Sequence, residues 1–443
     1  MKKRLAVLGG GPGGYAAALT AAQKGMEVTL IEERQVGGTC LNRGCIPTKA
    51  LLACSELYSK IREAGKYGIK VEKPTADLPA MMARKDKVVA TLRTGVEGLL
   101  KKRGVTLVPS KGTLAGSRAI ETGGTTVEAD SIILATGTEA LRLFSGENII
   151  TSDEALCLNE IPETLLVIGA GAVGLEMACF FAELGSRVTV VEMLPRILPG
   201  LDAELTDTLA RELKKKGLQI KTGCPVEKIE GASVSFSDGT KASYSKILQA
   251  VGRKFNTGGI GLEKAGVATE KGRVKINEYL ETSVEGIYAI GDIVEGSTLL
   301  AHAATAQGIT AALCAAGEKE PFSGRAIPNC IYTHPEVASV GMAEGSLENP
   351  LVGKIPYRVM GKAHASGELA GLIKIVADRG TRKVMGVHIV GEKATELIHE
   401  GILAVMEGIS IRRMAEVIRA HPTFAEIYSE AFHLLEGRPI HSQ

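Results

Sequence analysis

A chain of 443 residues is too long for one ordinary domain and predicts two to four. Its 52 Lys and Arg against 50 Asp and Glu leave a formal charge of +2, which excludes a nucleic-acid or acidic-surface footprint built on clustered excess base. With 45 % hydrophobic and 23 % charged residues the composition is that of a soluble globular protein, and its unusual counts are 53 Gly and 8 Cys.

The N-terminus, MKKRLAVLGG, carries an apolar run too short for a signal peptide and reads as a first strand. It opens a repeat. Residues 5–33, LAVLGGGPGGYAAALTAAQKGMEVTLIEE, recur 160 positions later as LLVIGAGAVGLEMACFFAELGSRVTVVEM at 165–193. Gly9, Gly11 and Gly14 fall on Gly169, Gly171 and Gly174, and Glu32 falls on Glu192. Each copy is a strand, a glycine turn, an Ala-rich helix and a second strand ending in Glu. That is a βαβ unit with the dinucleotide fingerprint G-x-G-x-x-G in its first turn. The first glycine permits the tight turn, the second lets backbone approach a pyrophosphate, and the third lets helix and strand pack closely. The helix N-terminus offers free N–H groups to phosphate. Glu32 and Glu192 stand where a carboxylate accepts hydrogen bonds from ribose hydroxyls. Two such copies in register predict two bound dinucleotides.

Residues 37–52 read GGTCLNRGCIPTKALL. Cys40 and Cys45 are five apart, and Pro47 suits the first turn of a helix beginning at Thr48 and Lys49. Such a pair reads either as two structural thiols or as a redox couple, and zinc is disfavoured because no second Cys or His cluster lies nearby. Its position just downstream of Glu32, where the reactive ring of a bound flavin would face it, favours the redox reading. No metal is expected. The other six cysteines (54, 157, 179, 224, 314 and 330) lack partner spacing and read as buried small hydrophobes. Eight cysteines are too sparse for a stapled secreted scaffold, so the chain reads as cytosolic.

Further along, residues 80–103 have a helical pattern, and 105–137 look like short strands closing on LATG. After the second repeat, helix signals at Arg211–Lys216 give way to strands near 218–236 and 243–251. A strand-rich stretch from Gly272 ends in GIYAIGD, and a small-residue segment from Leu299 reads as a buried helix. From about Ala326 the pattern becomes α+β, with strands at 337–341, 352–359, 371–377 and 383–390 and helices at 392–407 and 410–419. Near the end stands His421-Pro422-Thr423-Phe424-Ala425-Glu426. Taken alone His421 reads as an ordinary surface or core histidine, and it meets Glu426 only if the proline bends the chain. His334, in YTHPEVASVG, reads as structural.

Taken together, GGTCLNRGCIPTKALL, the two fingerprints, LATG, YAIGD and HPTFAE resemble the class I flavoprotein pyridine nucleotide-disulfide oxidoreductases over nearly the whole chain. Within them the pattern is most like the dihydrolipoamide-oxidising members. The resemblance implies an α/β fold of two Rossmann-like dinucleotide-binding domains plus a C-terminal α+β dimerisation domain. The implied division is 1–142 for FAD, 143–258 for NAD, 259–325 as a central segment completing the FAD site, and 326–443 as the interface domain. By position in the motifs, Gly9, Gly11, Gly14, Glu32, Gly112, Thr136, Gly137, Asp292 and Ala301 match FAD contacts. Lys49 matches the lysine near the flavin's reactive nitrogen, with Glu176 as its ion-pair partner. Gly169, Gly171, Gly174, Glu192 and Gly252 match the nicotinamide coenzyme's site.

Cys40 is then the thiol that exchanges with substrate, Cys45 the one lying against the flavin, and His421 the acid–base group oriented by Glu426. The resemblance further implies a homodimer, lipoyl-bearing proteins of 2-oxoacid dehydrogenase or glycine-cleavage systems as partners, and hydride delivery to NAD⁺. Glu192 would repel a 2′-phosphate, which favours NAD over NADP despite the nearby Arg196. The lack of any cysteine after Cys330 disfavours the mercuric-ion reductases. A reductase of another disulfide, or a flavin-binding subunit without turnover, remains the alternative. Two departures stand out: Arg43, expected to place a cation beside the cysteine pair, and GKAHASGE at 361–368.

Overall fold

The computed structural model describes residues 2–441. Arg4–Leu8 and Glu27–Ile31 form adjacent parallel strands joined by the helix Pro12–Gln23. Both strands are almost wholly apolar because helices and sheet bury both faces, as parallel sheets require. The finished sheet runs Ile287–Ala289, Ser131–Leu134, Arg4–Leu8, Glu27–Ile31, Thr106–Val108, all parallel. A second five-stranded parallel sheet runs Ile149–Ile150, Lys246–Gln249, Thr164–Ile168, Arg187–Val191, Gln219–Lys221.

The duplication therefore extends well past the fingerprints. Each unit also carries a three-stranded antiparallel sheet at the matching place, Gly112–Leu114 with Ala119–Thr122 and Thr125–Glu128 in the first, Val226–Glu230 with Ser233–Phe236 and Lys241–Ser243 in the second. Thr138–Ala140 pairs with Arg253–Phe255 and links the two units. The third unit is an antiparallel sheet in the order Asn329–Ile331, Glu336–Gly341, Val384–Gly391, Gly371–Ala377, Leu351–Pro356, covered by the helices Ala394–Met406 and Glu426–Leu435.

Several boundaries differ from the sequence reading. The stretch from Gly272 is mostly irregular, with only Arg273–Val274 and Ile287–Ala289 as strands, because its apolar residues pack as turns on the first unit. The strand expected over 352–359 stops at Pro356, which can donate no ladder bond. The helix expected over 410–419 is only Ile411–Ala415. Arg419 is drawn inward to Glu400 and the ring of Tyr428, so the chain leaves the helix there. The departure at 361–368 forms the short helix Gly361–Ser366.

The small-residue segment is the helix Ala301–Ala316, and no helix among the described residues is long and apolar enough to cross a membrane. Its composition has a packing cause. It crosses the first unit's helix where Gly308 meets Gly13, and a Cβ on Gly308 would lie 2.2 Å from the Gly13 carbonyl oxygen. Such proximity sets the depth at which Ala301, the first residue of that helix, sits over the first sheet. The second and third units are joined by a buried ion pair: Lys374, 4 % exposed, donates to Asp202 at 2.8 Å and to Glu344 at 2.5 Å. Burial pushes Asp202 up, but the hydrogen bond and charge of Lys374 outweigh it and hold the carboxyl below its usual range.

Gly308→Ala must push the two helices apart, and is expected to destabilise the protein by about 1–3 kcal/mol. The measurement is the urea midpoint of the holoprotein, and an unchanged midpoint would mean that the crossing tolerates a methyl group.

Candidate active site

The two glycine turns are near copies. Gly9 has φ +105 and a Cβ there would lie 2.3 Å from the Ala135 carbonyl oxygen; Gly169 has φ +101 and the same contact at 2.4 Å with Ala250. Gly14 and Gly174 press on the carbonyls of Gly9 and Gly169, whereas Gly11 and Gly171 face open space. That is the arrangement a pyrophosphate needs: strain-bearing glycines behind, clear backbone in front, a helix N-terminus alongside. Glu32 accepts from Gly10 N–H at 2.7 Å and from Arg34 N–H at 2.8 Å. Glu192 accepts from Ala170 and Leu194 N–H, both at 2.9 Å. Each acid thus clamps its own turn, a role the sequence does not display, and keeps further lone pairs for a ribose.

Around the first turn a second set of residues converges. Gly112 sits at the start of its strand, where a side chain would strike Leu8. Thr136 donates to the Asn256 carbonyl at 2.8 Å, and Asn256 donates back to the Thr136 carbonyl at 3.0 Å. Gly137 turns the chain with φ +63, and Gly252 does so with φ +123. Thr138 accepts from Arg253 Nε at 2.6 Å and donates to Asp292 at 2.5 Å, tying the ATG turn to the GD turn. Buried Gln307 accepts from Gly291 N–H at 2.7 Å and fixes the GD turn against the helix beginning at Ala301. Thr138, Arg253, Asn256 and Gln307 were not singled out from sequence, because each acts through a partner more than a hundred residues away or on another element.

The cysteine loop is seated on the glycine turn. Gly37 N–H donates to the Gly10 carbonyl at 2.8 Å, and a Cβ on Gly38 would lie 2.7 Å from Gly11 Cα. A short helix, Gly38–Arg43, carries Cys40. Gly44 breaks it, and the long helix starts at Cys45 itself rather than at Thr48. Cys45 therefore stands at a helix N-terminus, where a thiolate is favoured. Both are free thiols that face one another. Hydrogen bonding from Cys40 holds Cys45 below its usual range against the effect of burial, and Lys49 adds to the lowering; the same interaction and burial push Cys40 up. Arg43, expected to place a cation beside the pair, has its Nε 3.4 Å from Asp153, which pairs its charge.

Lys49 is held by three units at once. Its Nζ donates to Glu176 at 2.7 Å, Glu176 is 4 % exposed, and the other Glu176 oxygen accepts from Tyr332 N–H at 3.0 Å. The Tyr332 ring lies 4.4 Å from the same ammonium. Tyr332 is a site residue the sequence reading missed; its neighbours in YTHPE gave no hint, since the contact spans the third and second units.

His421 and Glu426 do meet, with Nδ1 and Oε1 2.8 Å apart, and Thr423 N–H donates to the second Glu426 oxygen at 2.8 Å. The bond at Nδ1 leaves Nε2 for a substrate. Burial pushes Glu426 up, but the bonds from His421 and Thr423 outweigh it and hold the carboxyl below its usual range. The His421 side chain is 77 % exposed, on the third unit, and the contacts of a single chain do not join it to Cys40. Of the six remaining cysteines, Cys179, Cys224 and Cys314 are buried, Cys54 and Cys330 half-buried, and Cys157 is exposed, against expectation. Cys157 falls in the turn after Ala155, outside any element that could cover it.

Known proteins share this arrangement. The family described as pyridine nucleotide-disulphide oxidoreductase matches residues 3–308, and its dimerisation domain matches 327–432. A dihydrolipoyl dehydrogenase of Thermus scotoductus is 42 % identical across 99 % of this chain and 98 % of its own length. One from Chlamydia muridarum is 41 % identical across 98 % and 97 %. The crystal structure of LpdA from Mycobacterium tuberculosis superposes with a TM-score of 0.91 at 30 % identity, over 98 % of this chain and 99 % of that one. The chain belongs to the pyridine nucleotide-disulphide oxidoreductases.

Proposed function

We infer that the chain is a dihydrolipoyl dehydrogenase that oxidises protein-bound dihydrolipoamide through the Cys40–Cys45 pair. Relatives that carry this name align over its full length at 39–42 % identity. The observation that carries the reading is a two-thiol loop seated on a dinucleotide turn, with Cys45 under the charge of a Lys49 ammonium fixed by Glu176 and Tyr332.

Enzymes of this family use FAD and NAD. In this reading FAD lies on 1–142, completed by the central segment 259–325, along Gly9, Gly11, Gly14, Glu32, Gly112, Thr136, Gly137, Asp292 and Ala301, and 326–443 is the interface domain. NAD lies on 143–258, along Gly169, Gly171, Gly174, Glu192 and Gly252. The strand Ile287–Ala289 lies in the first sheet, which supports assigning the central segment to the FAD site. The NAD assignment is supported by Arg196, whose Nε lies 3.2 Å from Asp207 and so is engaged away from a 2′-phosphate.

With the pair oxidised, His421 Nε2 takes a proton from one substrate thiol. The resulting thiolate attacks Cys40, the Cys40–Cys45 bond breaks, and Cys45 leaves as a thiolate stabilised by Lys49 and its helix N-terminus. The second substrate thiol, deprotonated in turn, displaces Cys40 and closes the lipoamide disulfide. FAD, which Gly9, Gly11, Gly14 and Glu32 would hold, would take the two electrons left on the thiol pair, and NAD⁺ would be their outlet.

His421 would serve the Cys40 of a second copy. Leu403, Met406, Val417 and Ile418 are exposed apolar residues on the third unit, Ile418 at 98 %, and fit a homodimer contact. Lipoyl-bearing proteins of 2-oxoacid dehydrogenase or glycine-cleavage systems are the partners, in the cytoplasm.

Anaerobic mixing of the holoenzyme with dihydrolipoamide and NAD⁺ is expected to yield NADH, with Cys45→Ser inactive; turnover of glutathione disulfide or coenzyme A disulfide in place of lipoamide would overturn the substrate. Glu426 stays a carboxylate across neutrality, since its depressed value confines protonation to pH below the ordinary carboxylate range. Glu426→Gln should therefore lower kcat by about 10²-fold evenly between pH 6 and 8, whereas a loss confined to one limb of the profile would contradict the orienting role. Co-expressed Cys45→Ser and His421→Gln chains, each inactive alone, should regain activity in mixed dimers; no recovery in a verified mixed dimer would place His421 in its own chain's site.

A further inference from the structure

Away from the thiols, three potential metal ligands converge. His334, Glu368 and Glu392 each bring a ligand atom to within 4.8 Å of the others. The third sheet forces this meeting. Glu336 pairs with Gly391, and Gly391 pairs with Gly371, so three neighbouring strands end level. The residues just beyond that edge are His334 before one strand, Glu392 after the next and Glu368 before the third. Their side chains are 23 %, 13 % and 26 % exposed, half-buried rather than solvated.

Of the groups around them, Glu336 and Lys60 are committed elsewhere, whereas Lys393 pairs with Glu392 itself. Glu336 accepts from Thr395 N–H at 2.9 Å and from its hydroxyl at 2.8 Å. Lys60 pairs with Glu56 at 2.5 Å, and Lys393 lies 3.6 Å from Glu392. Lys216 is the further cation facing the cluster. Inside the cluster, His334 Nε2 and Glu368 Oε2 stand 3.8 Å apart, too far for a hydrogen bond. Two ligands on one ion, each about 2.0–2.2 Å from it, span roughly that distance or slightly less. The scaffold is firm on both flanks: Tyr357 Oη donates to the Glu392 carbonyl at 3.0 Å, and Tyr67 Oη donates to the Ser366 carbonyl at 2.8 Å.

We propose that His334, Glu368 and Glu392 form a site for a divalent first-row transition ion such as Mn²⁺ or Zn²⁺, distinct from the redox site. One imidazole nitrogen and two carboxylate oxygens are the donor set such ions take, with water completing the coordination. All three ligands belong to the third unit, so the ion is structural: it ties three strand ends of one sheet together.

The test is a Mn²⁺ titration of the air-oxidised holoenzyme, in which the Cys40–Cys45 disulfide offers no thiolate, with free Mn²⁺ read by electron paramagnetic resonance. One Mn²⁺ per chain should be taken up, displaced by Zn²⁺, with the flavin absorbance band unmoved. Glu368→Gln and Glu392→Gln should each weaken binding on the order of tenfold or more, at unchanged flavin content. His334→Gln should do the same; if it fails to fold, the two glutamine variants decide. Absence of uptake at millimolar Mn²⁺, or uptake equal in the parent and both glutamine variants, would overturn the site and leave a plain ion-pair cluster with Lys60, Lys216 and Lys393.

Discussion

The Lys49–Glu176 pair holds the rest of the site together. A lysine from the long helix of the first unit, a buried glutamate from the second and the backbone of Tyr332 from the third meet at one point. A buried carboxylate costs several kcal/mol unless its oxygens are satisfied, and here each has a donor. Loss of any partner strands the others: without Lys49 the Glu176 charge is buried unpaired, and without Glu176 the ammonium that stabilises Cys45 has no fixed position. The same contact that sets the chemistry therefore sets how the three units sit against one another, and Lys374 with Asp202 repeats the device at the second junction.

The glycines act by a different physics. At Gly9, Gly14, Gly169 and Gly174 a side chain would collide with backbone, so these positions fix how closely strand, turn and helix approach. At Gly11 and Gly171 nothing crowds the site, and their service is to leave clear the face a phosphate approaches. The cysteine loop exploits the first turn directly, since Gly37 bonds to it and Gly38 packs on it. Redox pair and dinucleotide turn are thus one rigid object, and the placement of the thiols needs no flexible loop.

Most of this was legible in the chain because it is local. The fingerprints, the thiol spacing and the terminal glutamates lie within a few turns of one another, and their period and residue type carry the meaning. The His421–Glu426 contact was legible only conditionally, since five residues bring two side chains together only around a bend. What sequence did not reveal is contact between distant segments: Tyr332 on Lys49, Gln307 on Gly291, Arg253 on Thr138. Arg43 is instructive. Its neighbours in sequence are the two cysteines, yet a carboxylate more than a hundred residues on, Asp153, decides where its charge lies. The convergence of His334, Glu368 and Glu392 escaped for the same reason, because ligand spacing was sought along the chain and the sheet edge supplies it across strands.

The two halves of the duplication differ most between their second and third central strands. In the second unit residues 192–218 make a short crossover around one helix, Ala203–Lys215. In the first, residues 32–105 fill the same topological position with the cysteine loop, the helix Cys45–Arg62 and the helix Leu78–Lys102. The βαβ unit, present twice, has the same three glycines in its binding turn in both places. Only the first copy carries a long crossover there, and that segment brings Cys40, Cys45 and Lys49, which the second copy lacks.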